Sequence, residues 1–351
     1  MAEKRIGYYD IAKGIGIFCV VYAHAKAPFS KYMYLFHMPL FFLISGLLYN
    51  ASTPPGTYVK RKIQTLYIPF VFWNALFCTG MNIYKHIYIY IYDGIAKTAR
   101  QLFLVALTLS KSGEFLGATW FLGALLLISV LYKLLDYGLP ESKTKDFFLL
   151  FFFAALATMA FEVNLKYLLS RTFVLSFFFA VGVFCRKHGI DKTLLRGEYA
   201  IAAVASVLAF LLFARYNWAN MGKDEYGHTL TFFLGAFLAS YGVIYFSKVL
   251  DGREEKLPVM LKSLLSYLGR NSMDIVIWQF VAFRIVIILQ MYLYHEEITV
   301  SNVLSYYPIH TASGGLWWVA YTLVGLFVPI LWGKFLRFGP WGKLLKRLHI
   351  V

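Results

Sequence analysis

The chain has 351 residues, 60% of them apolar and 15% charged, and its 34 Lys and Arg against 18 Asp and Glu leave a net charge of +16. A soluble domain carries roughly 25% charged residues, so composition excludes an ordinary water-soluble globule, and the relevant solvent is lipid. No groove-reading motif or basic helix accompanies the positive charge, so it is assigned to membrane topology and lipid headgroups, with no nucleic-acid partner.

In chain order the long apolar runs are 9–27, 33–50, 66–83, 119–132, 147–161, 172–185, 199–214, 229–246, 275–283 and 316–333. Several need flanking residues to reach the roughly 20 that a crossing requires. Helices alone satisfy their own backbone in lipid at these lengths. The expected fold class is therefore all-α: a polytopic membrane helical bundle of about ten transmembrane helices, with residues 1–351 as one integral membrane domain. The run 98–110 is short and reads as a re-entrant or interfacial piece. Basic residues before 14–23 and Ala23-His24-Ala25 after it imitate a cleaved leader. A second apolar run follows within eight residues, however, and eight more come after it, so the first run is read as a helix that stays.

Charge sets the orientation. With the N-terminus inside, the inner segments hold 21 Lys and Arg, beginning with Lys4 and Arg5, and the outer ones hold 8, including Lys111 and Lys166. Both termini are thus expected to be cytoplasmic. Cys19, Cys78 and Cys185 lie in apolar stretches and read as small buried hydrophobes. No metal-ligand, dinucleotide or nucleoside-triphosphate motif is present, and no permanently bound cofactor or metal is expected.

Ionisable groups within spans are costly and therefore informative. Lys133 is expected to snorkel inward and Arg171 outward, Lys85 and His86 to reach headgroups, and Asp274 to pair with Arg270 four residues earlier. Arg284 lies near mid-membrane and is expected to face the bundle interior with Gln279 and Gln290. Lys13 and His24 stand out. Eleven residues of helix bring their side chains to within about 20° of one face and set them about 16 Å apart along the axis. Asp10, one turn before Lys13, partly neutralises the cation. A cation at the inner end and an imidazole at the outer end suit a long anionic ligand that enters from the cytoplasm with its reactive end uppermost. In "FHMPLFFLISG", 36–46, the second span brings His37 to the depth of His24.

Lys13-x10-His24, "FHMPLFFLISG", "TWFLGALLL" (119–127) and "LGRNSMDIVI" (268–277) together resemble the acyltransferase 3 family of integral membrane acyltransferases, over essentially the whole chain. That resemblance implies an O-acyltransferase of the cell membrane, bacterial and cytoplasmic, moving an acetyl or other short acyl group from cytoplasmic acyl-CoA, such as acetyl-CoA, to a carbohydrate or other cell-envelope acceptor. Lys13 and His24 match the family's basic residue, ten-residue gap and essential His. Two departures stand out. The family's R-x-x-R pair is reduced to Lys60-Arg61-Lys62, with Thr65 at the second position, and Gln279 stands where many relatives have His.

On this reading His24 is the catalytic base, since a neutral imidazole can take a hydroxyl proton and pass it to the leaving thiolate. Lys13 and Asp10, with Arg61 and Lys62, would bind the donor. His37, Trp120 and Arg284 would support the site or bind acceptor. The rival class is a multi-pass transporter or flippase for a polar solute or envelope precursor, with Arg284 and Glu162 lining its path.

Overall fold

The structure is a computed structural model that describes residues 7–88, 94–109, 114–163, 165, 168–305 and 315–351. Lys4, Arg5, Lys111 and Lys166 lie outside the described residues, as do the side chains of Lys85 and His86. The described chain is helical, apart from an isolated bridge between Asn220 and Glu225.

The helices are α1 (Gly7–His24), α2 (Ser30–Leu47), α3 (Pro55–Lys62), α4 (Ile68–Tyr88), α5 (Gly94–Thr108), α6 (Trp120–Gly138), α7 (Lys145–Glu162) and α8 (Leu169–Lys187). They continue with α9 (Ile190–Leu194), α10 (Ala200–Tyr216), α11 (Thr229–Asp251), α12 (Lys256–Arg270), α13 (Ser272–Leu293), α14 (Val300–Ser305), α15 (Trp317–Leu336) and α16 (Gly339–Arg347). Seven stretches are long and apolar enough to cross a membrane: Pro55–Tyr84, Trp120–Gly138, Leu169–Lys187, Gly197–Tyr216, Thr229–Asp251, Ser272–Leu293 and Trp317–Leu336. The chain is a multi-pass membrane protein. Its lipid solvent shows in α10, where Ile201, Val204, Leu208, Leu211 and Leu212 all face outward, a surface that water would not tolerate.

The three remaining expected spans, α1, α2 and α7, are each 18 residues long and are set apart by the polar and charged residues that they carry. Helix α1 carries Asp10, Lys13 and His24, α2 carries Lys31, His37 and Pro39, and α7 carries Lys145, Asp146 and Glu162. The first two are the helices expected to bear the chemistry.

The chain divides into two compact units. One comprises the residues up to Tyr49 together with Leu175–Ile330, and the other comprises Asn50–Val174 and Leu331–Val351. In the first unit α1 is the centre, packed against α2, α11, α12 and α13. Glycines make that packing possible. A Cβ on Gly14 would lie 1.9 Å from the Leu265 carbonyl oxygen, and one on Gly269 would lie 1.9 Å from the Asp10 carbonyl oxygen. Helices α1 and α12 therefore cross with their backbones touching. Gly46 and Gly182 do the same for α2 and α8. Lipid supplies no hydrophobic drive between helices, so close backbone approach is what holds such pairs together.

In the second unit Lys133 does not snorkel. It is 2% exposed, and its Nζ donates to the Ala51 carbonyl at 2.7 Å beneath the ring of Tyr58. Arg171 lies over the ring of Trp120, 5.2 Å from its centroid. Lys145 bridges Asp136 at 3.4 Å and Glu141 at 2.6 Å.

Candidate active site

The N-terminal end of α1 holds an ion cluster that includes Asp10, Lys13 and Arg270. Asp10 is buried and accepts from Lys13 Nζ at 3.3 Å on Oδ1 and from Arg270 Nε at 3.4 Å on Oδ2. The touching backbones at Gly269 bring Arg270, the last residue of α12, to a carboxylate 260 positions earlier. Two cations share one anion, so the cluster keeps a net positive charge. Both cations remain open to solvent, Lys13 by 26% and Arg270 by 56% of the side chain. Such an arrangement can receive anionic groups. Asp10 and Lys13 fall together as the sequence predicted. Arg270 had been expected to pair with Asp274, but Asp274 is buried and Arg270 turns to Asp10 instead, because the close α1–α12 crossing puts that carboxylate within reach.

At its C-terminal end, α1 turns into α2 over five residues, two of them non-glycine in the left-handed region, Lys26 (φ 52°) and Phe29 (φ 62°). The Tyr22 hydroxyl secures the turn by donating to the Pro28 carbonyl at 3.0 Å. This reversal brings Tyr34 beside His24. The Tyr34 hydroxyl donates to the Ala23 carbonyl at 3.1 Å, so its oxygen faces His24 Nδ1, 3.5 Å away, as an acceptor. The consistent tautomer of His24 has its proton on Nδ1 and its basic lone pair on Nε2. The His24 ring meets Tyr34 edge-on at 5.9 Å between centroids and Phe280 of α13 at 4.9 Å. His37 is buried, donates from Nδ1 to the Met33 carbonyl one turn back, and lies 5.5 Å from the Tyr34 ring. Tyr34 therefore contacts both imidazoles. It was not singled out from the sequence, although its position three residues before His37 is the signal that would have found it.

Arg284 is buried on α13, where its Nη1 donates to the Val303 carbonyl at 2.9 Å and ties α13 to α14. Glu162, proposed with it as a lining charge, is exposed at the end of α7.

Arg61, Lys62 and Trp120 belong to the second unit. Arg61 is exposed in the last turn of α3, and Lys62 lies over the Tyr58 ring at 5.3 Å. A π-helical turn, Ile63–Tyr67, follows at once, a distortion that clusters at functional sites. Thr65, at the second position of the reduced basic pair, donates back to the Arg61 carbonyl at 2.8 Å. Trp120 is buried at the start of α6. Among the described residues, no group of three His, Cys, Asp or Glu is arranged to hold a metal ion.

A multi-pass helical membrane protein with a cation cluster at one end of its central helix and paired imidazoles at the other is the class that fold and site define. A family profile described as an acyltransferase domain matches residues 6–339, through both units, and the chain belongs to the acyltransferase 3 family. It is similar to the nodulation protein NolL of Sinorhizobium fredii, with 32% identity over 150 residues covering 38% of this chain and 37% of that one. It is also similar to the nodulation protein NolL of Mesorhizobium japonicum, with 24% identity over 238 residues covering 63% of this chain and 57% of that one. The match thus spans little more than half of these relatives at most. No solved structure matches the chain.

Proposed function

We propose that the protein is an O-acyltransferase of the bacterial cytoplasmic membrane, moving an acetyl or other short acyl group from cytoplasmic acyl-CoA to a carbohydrate or other cell-envelope acceptor. On this reading residues 1–351 act as one domain of ten spans, α1, α2 and α7 joining the seven apolar ones, with both termini inside. The observation that carries it is the layout of α1. A carboxylate-anchored pair of cations stands at one end, and the His24 imidazole, with Tyr34 beside its Nδ1, stands at the other, about 16 Å along the same face. A coenzyme A thioester has that shape: phosphates at one end, an extended arm, and the reactive sulfur at the other.

Lys13 and Arg270 hold phosphate. The acceptor hydroxyl gives its proton to His24 Nε2 while its oxygen attacks the thioester carbonyl. The carbon–sulfur bond then breaks, and His24 returns the proton to the leaving thiolate. Tyr34 keeps the imidazole in the tautomer this requires. Release of free thiol from acetyl-CoA by purified protein tests the reading. Thiol release that His24→Ala abolishes supports it, and solute uptake without thiol release overturns it in favour of a carrier.

A further inference from the structure

Gln279 is fully buried in the middle of α13, and among the described residues neither its Oε1 nor its Nε2 has a hydrogen-bond partner. A carboxamide left in this state is costly, since both its donor and its acceptor are removed from water without compensation. Its location is well defined by its neighbours. Helix α13 begins two residues after Arg270, which touches Asp10 at the inner end of α1, and it passes His24 at Phe280, so the two helices run side by side in the same direction. One turn beyond Gln279 on the same face, Phe283 meets the place where Val21 of α1 and Gly325 of α15 converge. Val21 lies one turn before His24 on α1. Along α13, Gln279 therefore lies between the start of the helix, two residues after Arg270, and Phe280, which meets His24.

We infer that Gln279 is a donor-binding residue whose carboxamide pairs with an amide of the pantetheine arm of acyl-CoA. The inference rests on the acyl-CoA reading above and deepens it. A ligand that spans from Lys13 to His24 must pass this position, and the pantetheine arm carries secondary amides on its stretch below the sulfur. A carboxamide can accept from an amide N–H on Oε1 or donate to an amide carbonyl from Nε2. Pairing one of these buried groups with the arm makes the site selective for an amide-bearing chain over an alkyl chain of the same length.

The test compares wild-type protein with Gln279→Met, which keeps length and approximate volume and removes both polar atoms. Binding is measured for coenzyme A and for adenosine 3′,5′-bisphosphate, which has the nucleotide phosphates but no arm. The variant should bind coenzyme A about three- to tenfold more weakly, the range of one neutral hydrogen bond, and the bisphosphate as well as wild type does. Its thermal stability should be equal or higher, because an unpaired buried amide has been replaced by an apolar chain. Unchanged coenzyme A affinity, equal weakening of both ligands, or a fall in stability overturns the inference while leaving the acyltransferase reading in place. Wild-type protein that binds neither ligand overturns the donor reading itself, and the role of Gln279 with it.

Discussion

His24 and the ion cluster divide the work of the site between two chemistries, and single substitutions separate them. His24→Gln keeps hydrogen bonding and approximate size but takes no proton at neutral pH. It is expected to lower acyl transfer by about 10² to 10⁴, the usual contribution of a general base, while coenzyme A binding stays at the wild-type level. Turnover near the wild-type rate would make the imidazole architectural. Lys13→Ala should have the opposite profile, with weakened acyl-CoA binding, and Lys13→Arg should restore much of it because the charge persists although its geometry differs. Asp10 has a structural duty as well. Its side chain is 3% exposed between two cations, and Asp10→Asn leaves those cations facing each other across the α1–α12 contact. Both cations are partly solvated, so the loss should lie toward the low end for a broken pair, about 1–3 kcal/mol, read as a lowered melting temperature in detergent.

At the scale of elements, glycine packing decides whether the site exists. Alanine normally improves a helix interior by about 1 kcal/mol over glycine. At Gly80 on α4, where a Cβ would meet nothing within 4 Å, Gly80→Ala should raise the melting temperature. At Gly269 the same change places a methyl group 1.9 Å from the Asp10 carbonyl oxygen, and that neighbour is backbone and cannot turn aside. Helices α1 and α12 must separate, Arg270 leaves Asp10, and the protein should lose both stability and coenzyme A affinity. A Gly269→Ala variant as stable as wild type would show that the crossing is looser than described. The turn from α1 to α2 works by the same logic at the C-terminal end of α1. Two left-handed non-glycine residues, Lys26 and Phe29, make a reversal tight enough to bring Tyr34 back onto His24.

For the whole molecule, orientation is the property on which donor access depends. With native cysteines replaced, Glu297→Cys should react with a membrane-impermeant maleimide added to intact cells, and Lys192→Cys only after permeabilisation. Both positions are exposed, so accessibility within the protein is not limiting. Labelling of position 192 from outside would reverse the topology and place the Lys13–Arg270 cluster away from cytoplasmic acyl-CoA. Cys19 and Cys78 are buried and Cys185 half-buried, so their removal should perturb the surface little.

The sequence alone determined what depends on composition and on the geometry of one helix. Lipid as solvent, an all-helical chain, and the alignment of Lys13 with His24 all follow from hydropathy and from 3.6 residues per turn, which need no partner element. The pairing of Asp10 with Lys13 is legible for the same reason, being one turn apart. Tertiary structure decided what depends on contacts between distant segments. Arg270 reaches Asp10 across 260 positions because two glycines let backbones touch. Lys133 is buried and donates to the Ala51 carbonyl, and Arg284 donates to the Val303 carbonyl. Gln279 was visible in the sequence as a departure from its relatives. Its meaning came only with burial: a polar side chain on a helix is ordinary until the surrounding helices show that nothing in the described fold answers it.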